Sequence, residues 1–192
     1  MSDELDWPLE DSEYGSELPL FRVRFDHRRH PRSGEVMKRL VLESVDWVNV
    51  VAVTEDGRLV MIRQFRFGAG YATLEIPGGM VDEGEASLAA AQRELAEETG
   101  YSGGTWHCLG AVEPNPAIHD HLCHHYLARD VRLTRRQDLS QGECIRVELM
   151  SEADVLRAVR SGEVKHVLVL STLSRVFDLW PRPFLQEHGG SR

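Results

Sequence analysis

The stretch IPGGMVDEGEASLAAAQRELAEETGY, Ile76 to Tyr101, decides how this chain is read. It opens as a glycine turn and runs on as a helix that Gly100 should stop. Asp82 and Glu85 have capping-box spacing and Ser87 is a second candidate cap, so the helix is expected to start between Asp82 and Ser87. Leu88, Ala91 and Leu95 fall at helical spacing and are expected to face the core. The far end carries Glu94, Glu97 and Glu98 beside Arg93. Like charges one turn apart destabilise a bare helix by about 0.2–0.5 kcal/mol per pair. Glu94 and Glu98, at i and i+4, share one side of the helix, expected across from Leu95. Carboxylate oxygens on one face suit a hard cation such as Mg²⁺, which would relieve that repulsion. A merely solvated acidic face would need neither the glycine turn nor its fixed spacing from the helix.

Working outward, residues 1–18 are acidic, lack periodicity and are expected to form a mobile tail. Residues 19–45 contain a strand pair, with Phe21, Val23 and Phe25 alternating with arginines before the turn HPRSGE. Residues 46–192 form the main domain. It begins with a hairpin around Glu55-Asp56-Gly57 and a short strand ending in the glycine turn. After the helix come strands around WHCLGAV, CHHYLARDV and CIRVELM. A helix capped by Ser151 and an apolar helix in HVLVLSTLSRVFDLW follow. This order predicts an α+β fold, an αβα sandwich with a mixed sheet, plus a small N-terminal β subdomain.

Bulk properties exclude several classes. A length of 192 residues suits one domain with a small appendage. The net charge of −9 argues against a polynucleotide partner, because the phosphate backbone calls for a basic face. The run RFDHRRHPR reads as a hairpin with solvated charges. No apolar run is long enough to span a membrane, so no membrane association is expected. The first residues lack the pattern of a secretory or transit signal. Cys108, Cys123 and Cys144 make no CxxC pair, which fits a reducing, cytoplasmic setting.

The segment from Gly79 to Tyr101 resembles the Nudix box, G-x5-E-x7-R-E-U-x-E-E-x-G-U with U bulky and apolar, at every defined position. The resemblance implies metal binding by Glu94, Glu97, Glu98 and the carbonyl of Gly78. It also implies that Arg93 orients the glutamates and that Glu85 supports the loop. The implied chemistry is hydrolysis of a nucleoside diphosphate linked to another group, with Mg²⁺ as cofactor and Mn²⁺ as the alternative. QFR ahead of LEIPGG, and SGEVKHVLVLSTL, look like the ADP-ribose and nucleotide-sugar pyrophosphatase branch. That branch implies Arg66 on a substrate phosphate, with Glu75, Trp47 and His124 also binding substrate. For Trp47, base stacking and a core position are weighed equally. PNPAIHDHLCHHYLA departs from the ADP-ribose pattern and looks closer to nucleotide-sugar hydrolases. Its histidines, His119, His121, His124 and His125, read better as strand and loop residues than as a zinc site.

LSQGECIRVELM resembles the segment carrying the catalytic base, which implies Glu143 in that role and Glu97 as the fallback. The expected partners are a nucleotide sugar and a second copy of the chain, with the N-terminal strands exchanged between subunits or folded back on their own. The alternative functions are a non-catalytic sensing module or a Nudix enzyme acting on another nucleoside diphosphate derivative. Sensing modules typically lose box glutamates, and this chain has lost none.

Overall fold

Alternation along the strands of the main unit divides its apolar residues between two faces of one sheet. The protein is described from a computed structural model, covering residues 5–180. The start of the expected tail, residues 1–4, and the end of the expected main domain, 181–192, lie outside the described residues. Two units can be distinguished.

The first unit contains β1 (Leu9–Glu17), β2 (Arg22–Arg29) and β3 (Val36–Glu43), antiparallel with β2 central. Strand β1 lies in the stretch expected to be mobile, which corrects that expectation. Its own residues are mostly polar, so apolar periodicity could not announce it. Glu10 pairs with Arg29 at 2.8 Å, and Glu13 meets Lys38 at 2.5 Å and His27 at 2.9 Å. The Arg22 guanidinium lies 3.7 Å from the Tyr14 ring centroid. On β2, Asp26 is buried, and Arg24, Arg28 and Ser12 all donate to its carboxylate. Residues Val112–Cys123 also belong to this unit, beyond the expected boundary of 19–45. Leu42 N–H donates to Ile118 O at 2.7 Å, and Leu122 N–H to the Asp46 carboxylate at 2.9 Å.

The second unit supplies β4 (Trp47–Thr54), β5 (Leu59–Arg66), β6 (Tyr71–Glu75), α1 (Ser87–Thr99), β7 (Tyr101–Ser102) and β8 (Thr105–Val112). It continues with β9 (Cys123–Leu133), β10 (Ile145–Met150), α2 (Glu152–Arg160) and α3 (Val167–Leu173). The sheet order is β10-β5-β4-β9-β7, with β6 on β5 and β8 on β9. Val48, Val50 and Ala52 of β4 pack with Ala90, Ala91 and Leu95 of α1. Val51, Met61 and Leu127 pack on the other face with Val155, Val169 and Leu173 of α2 and α3. This is the αβα arrangement that the order of elements predicted. Each fully buried aliphatic side chain contributes about 1.5–3 kcal/mol. Asp130, with φ of 60°, shifts the parity of β9, so Val131 returns to the α1 face.

Helix α2 is capped as expected, with Ser151 Oγ accepting Asp154 N–H at 3.2 Å. That contact contributes about 1 kcal/mol. Helix α1 differs. Its N-cap is Ala86, and no side chain caps it. The Glu85 carboxylate accepts Asp82 N–H at 3.1 Å and closes a turn ahead of the helix. Ser87 instead bonds the Tyr126 hydroxyl at 2.7 Å. Leu88 is 40% exposed, because it precedes the turn of helix that meets the sheet. Gly100, at φ 78°, ends the helix as expected.

Strand β9 also buries His125 completely, and among the described residues neither ring nitrogen has a hydrogen-bond partner. Burial, helped by the Arg175 and His124 charges, pulls its pKa down to about 4. In the unfolded chain the imidazole titrates at about 6.5. Below that pH the unfolded state binds the extra proton, so stability falls as pH drops and levels off below the folded pKa. From pH 7 to 4.5 the wild type should lose about 2 kcal/mol that His125→Leu does not lose. Denaturant titrations of both proteins across that range measure it, and parallel curves would refute the assignment.

Candidate active site

Ala91, Leu95 and Glu98 stand at i, i+4 and i+7 on α1, so the buried stripe of the helix ends in a carboxylate. Glu98 is therefore 4% exposed. It shares the core stripe with Leu95 rather than lying across from it, which corrects the sequence expectation. Its Oε2 accepts the Gly78 N–H at 2.9 Å. Burial, with the Glu94 charge adding, pushes its pKa up to about 8 against that bond. Burial also raises Glu94, where Glu97 and Glu143 add and Arg93 opposes.

The glycine turn is pinned to β4. Val48 N–H donates to Gly79 O and Val50 N–H to Pro77 O, both at 2.9 Å, and Gly79 N–H donates to Val48 O at 3.1 Å. A Cβ on Gly78 would collide with Val48 O and the Asn49 side chain, and one on Gly79 with the Glu94 carboxylate. Gly78 excludes a side chain for want of space, and a side chain at Gly79 would displace the Glu94 carboxylate.

Arg93 ties this end of the helix together. It donates to Glu85 at 3.1 and 2.9 Å, to Glu94 at 2.7 Å, to Glu97 at 3.2 Å and to Met80 O at 2.9 Å. These acids, Glu85 first, raise its pKa further. The loop before β10 closes the other side. Asp138 N–H donates to Glu97 O at 2.9 Å, and Gln137 Nε2 to Glu98 O at 2.5 Å. Glu143 there accepts Ser140 N–H at 2.9 Å. One cleft is lined by Arg93, Glu94, Glu97, Glu98, Asp138, Leu139, Ser140 and Glu143.

Arg66 and Glu75 form a second group. Arg66 Nε and Nη2 grip the Glu75 carboxylate at 2.8 and 2.7 Å, and Thr73 Oγ1 donates to it at 2.6 Å. His166 Nδ1 lies 3.3 Å away but makes no hydrogen bond, so that contact is electrostatic. Burial pushes the Glu75 pKa up, but Arg66 and His166 outweigh it and hold the group below the usual carboxylate range. Trp47 begins β4 with a bridge to Met80, and His124 is half-buried on β9. Neither lines the cleft of glutamates. Sequence reasoning missed Asn49, Gln137, Thr73 and His166. Only Thr73 carried a signal, since strand alternation puts it on the same face as Glu75.

Among the described residues, no three His, Cys, Asp or Glu side chains converge as a ready-made metal cage. Half-buried Glu94 and buried Glu98 nonetheless suit a hard divalent cation, which typically takes few carboxylates and completes its shell with water and phosphate. Gly78 O can add a backbone ligand, since the turn's bonds to β4 use the carbonyls of Pro77 and Gly79.

The NUDIX domain family model matches residues 44–169. The chain is 33% identical over 133 residues to an ADP-ribose pyrophosphatase of Bacillus subtilis, covering 69% of this chain and 72% of that protein. It is 30% identical over 154 residues to an ADP-ribose pyrophosphatase of Mycobacterium tuberculosis, covering 79% and 74%. A solved structure, the crystal structure of an ADP compounds hydrolase, superposes with a TM-score of 0.78 at 19% identity, covering 92% of this chain and 95% of that one. The last likeness concerns the fold alone. The chain belongs to the Nudix family. It is an enzyme, a Nudix pyrophosphatase that hydrolyses nucleoside diphosphate derivatives.

Glu98 makes a prediction for the metal-free protein. Its folded pKa lies above the unfolded value of ~4.5, so its contribution is complete at low pH and is lost as pH rises through about 8. In chelator, Glu98→Gln should gain a few kcal/mol, in order of magnitude, over wild type between pH 5 and 8. Thermal melts at the two pH values test this, and an unchanged difference would contradict it. Added Mg²⁺ should restabilise the wild type only.

Proposed function

We propose that this enzyme hydrolyses the diphosphate of ADP-ribose or a related nucleoside diphosphate sugar, giving a nucleoside monophosphate and a sugar phosphate. The observation that carries this reading is half-buried Glu94 beside buried Glu98, both lining the cleft that Glu143 also lines. The names of the two bacterial relatives favour ADP-ribose. Glu94, Glu97, Glu98 and the Gly78 carbonyl would hold the cation, Mg²⁺ first and Mn²⁺ as the alternative. A bound divalent cation supplies Lewis-acid polarisation of phosphate oxygens and eases deprotonation of water. Glu143 takes the proton from the attacking water, with Glu97 the alternative base. The water oxygen bonds to one phosphorus, the bridging P–O bond breaks, and the leaving phosphate keeps the bridging oxygen. Arg93 fixes Glu94 and Glu97 against mutual repulsion, while Arg66 meets the negative charge of the diphosphate. Trp47 and His124 remain candidates for the substrate side. The intact box glutamates weigh against a sensing module.

A panel of nucleotide sugars and dinucleotides with Mg²⁺, resolved by chromatography, tests the substrate class. ADP-ribose or a nucleotide sugar should be cleaved to two monophosphates, and cleavage of nucleoside triphosphates alone would refute the reading. Glu143→Gln should lower kcat by about 100-fold with metal affinity largely kept. Unchanged kcat would move the base to Glu97.

A homodimer is also part of the proposal. The thin sheet β1–β3 leaves Leu9, Tyr14, Leu18, Leu20, Val36 and Leu40 exposed, and its apolar surface gains by being covered. Light scattering at micromolar concentration should give twice the chain mass, and a monomer mass would refute it. Among the described residues no helix is long and apolar enough to cross a membrane. The free cysteines Cys108, Cys123 and Cys144 support a cytoplasmic setting.

A further inference from the structure

Glu75 was expected to touch substrate, but its surroundings leave it no oxygen to offer. Both carboxylate oxygens are taken, by Arg66 Nε and Nη2 and by Thr73 Oγ1, and the residue is 2% exposed. The guanidinium it grips is different, since the Arg66 side chain is 44% exposed. A guanidinium has two edges that can each hold a bidentate anion. Glu75 fills the edge made by Nε and Nη2. The edge made by Nη1 and the outer N–H of Nη2 has no described hydrogen bond. Arg66 also feels the charge of Glu98, one of the residues that line the glutamate cleft.

We propose that Glu75 is a positioning residue: with Thr73 and His166 it clamps one edge of Arg66 so that the other stays turned to the substrate diphosphate. This deepens the hydrolase reading above and rests on it. An unclamped arginine on a strand end samples many rotamers and loses that freedom on binding. A planar fork held by a buried carboxylate has already lost it, so anion binding costs less. Thr73 fixes one carboxylate oxygen from the same strand, two residues away. The neighbouring His166 ring fills the remaining side at 3.3 Å. Glu75 therefore acts on the substrate only through Arg66.

A double-mutant cycle on the full chain decides it, with ADP-ribose and Mg²⁺. Glu75→Gln keeps the shape of the side chain but loses the charge-assisted fork. It should raise KM about tenfold and leave kcat within about threefold. Arg66→Ala should do the same or more, and the double variant should be no worse than Arg66→Ala within about twofold. Multiplying effects in the double variant, or wild-type kinetics in Glu75→Gln, would overturn the proposal. Thr73→Val leaves all charges in place and serves if Glu75→Gln does not fold. It should raise KM about threefold in the wild type and not at all in Arg66→Ala; an equal effect in both backgrounds overturns the proposal. Should the wild type cleave no nucleotide sugar, the functional reading fails, and calorimetry with inorganic pyrophosphate decides the clamp separately. Tenfold weaker binding by Glu75→Gln that vanishes in the Arg66→Ala background supports it. Equal binding by wild type and Glu75→Gln, or no binding by wild type, overturns it.

Discussion

The bond from Gly78 N–H to Glu98 is the contact around which the main unit is arranged. It joins the end of a buried helix stripe to a turn that lies against β4 only because Gly78 lacks a side chain. An ionised carboxylate removed from water is costly unless paired. One backbone N–H falls well short of pairing it, as the raised pKa of Glu98 records. The fold therefore carries a stored electrostatic deficit at the mouth of its cleft. A site that holds two acids in low dielectric is poised to take a cation, and it favours one that brings its own anionic ligands.

Two arginines divide the remaining work by geometry. Arg93 spends its donors on four protein groups and so belongs to the scaffold. Arg66 spends one edge and keeps the other. In a chain of net charge −9, fixed positive groups beside the acids decide where an anionic substrate can dwell. Lysine could not replace either residue, because a point charge cannot bridge several acceptors in one plane.

Much of this was legible beforehand, and the exceptions have physical causes. The spacing from Gly79 to Tyr101 announced both the glycine turn and the carboxylate cluster, because each position there is fixed by sterics or charge. The two faces of the sheet followed from period-two alternation along β4 and β5. Periodicity misled at Leu88, since it marks one side of a helix and not where along its length the sheet begins. It also hid that Glu98 belongs to the apolar stripe, because a charged residue is not counted among core positions. Strand β1 escaped notice because its own residues are mostly polar and exposed, so no apolar alternation marks it. The clamp on Arg66 needed tertiary structure: His166 lies far along the chain from Glu75.

The first unit is stitched from two distant pieces of chain, and that has a consequence for biosynthesis. Leu42 on β3 finds its backbone acceptor at Ile118, and Asp46 meets Leu122. A growing polypeptide at about 5–20 residues per second makes β3 roughly 4–15 s before that acceptor exists. During the wait the outer side of β3 is an unpaired strand edge, open to any neighbouring nascent chain. The lysine and arginine of β3, Lys38 and Arg39, then act as gatekeepers, since burying them against another strand is unfavourable. Away from Leu42, β3 remains the outer strand of its sheet among the described residues, so the same charges go on guarding that edge after synthesis.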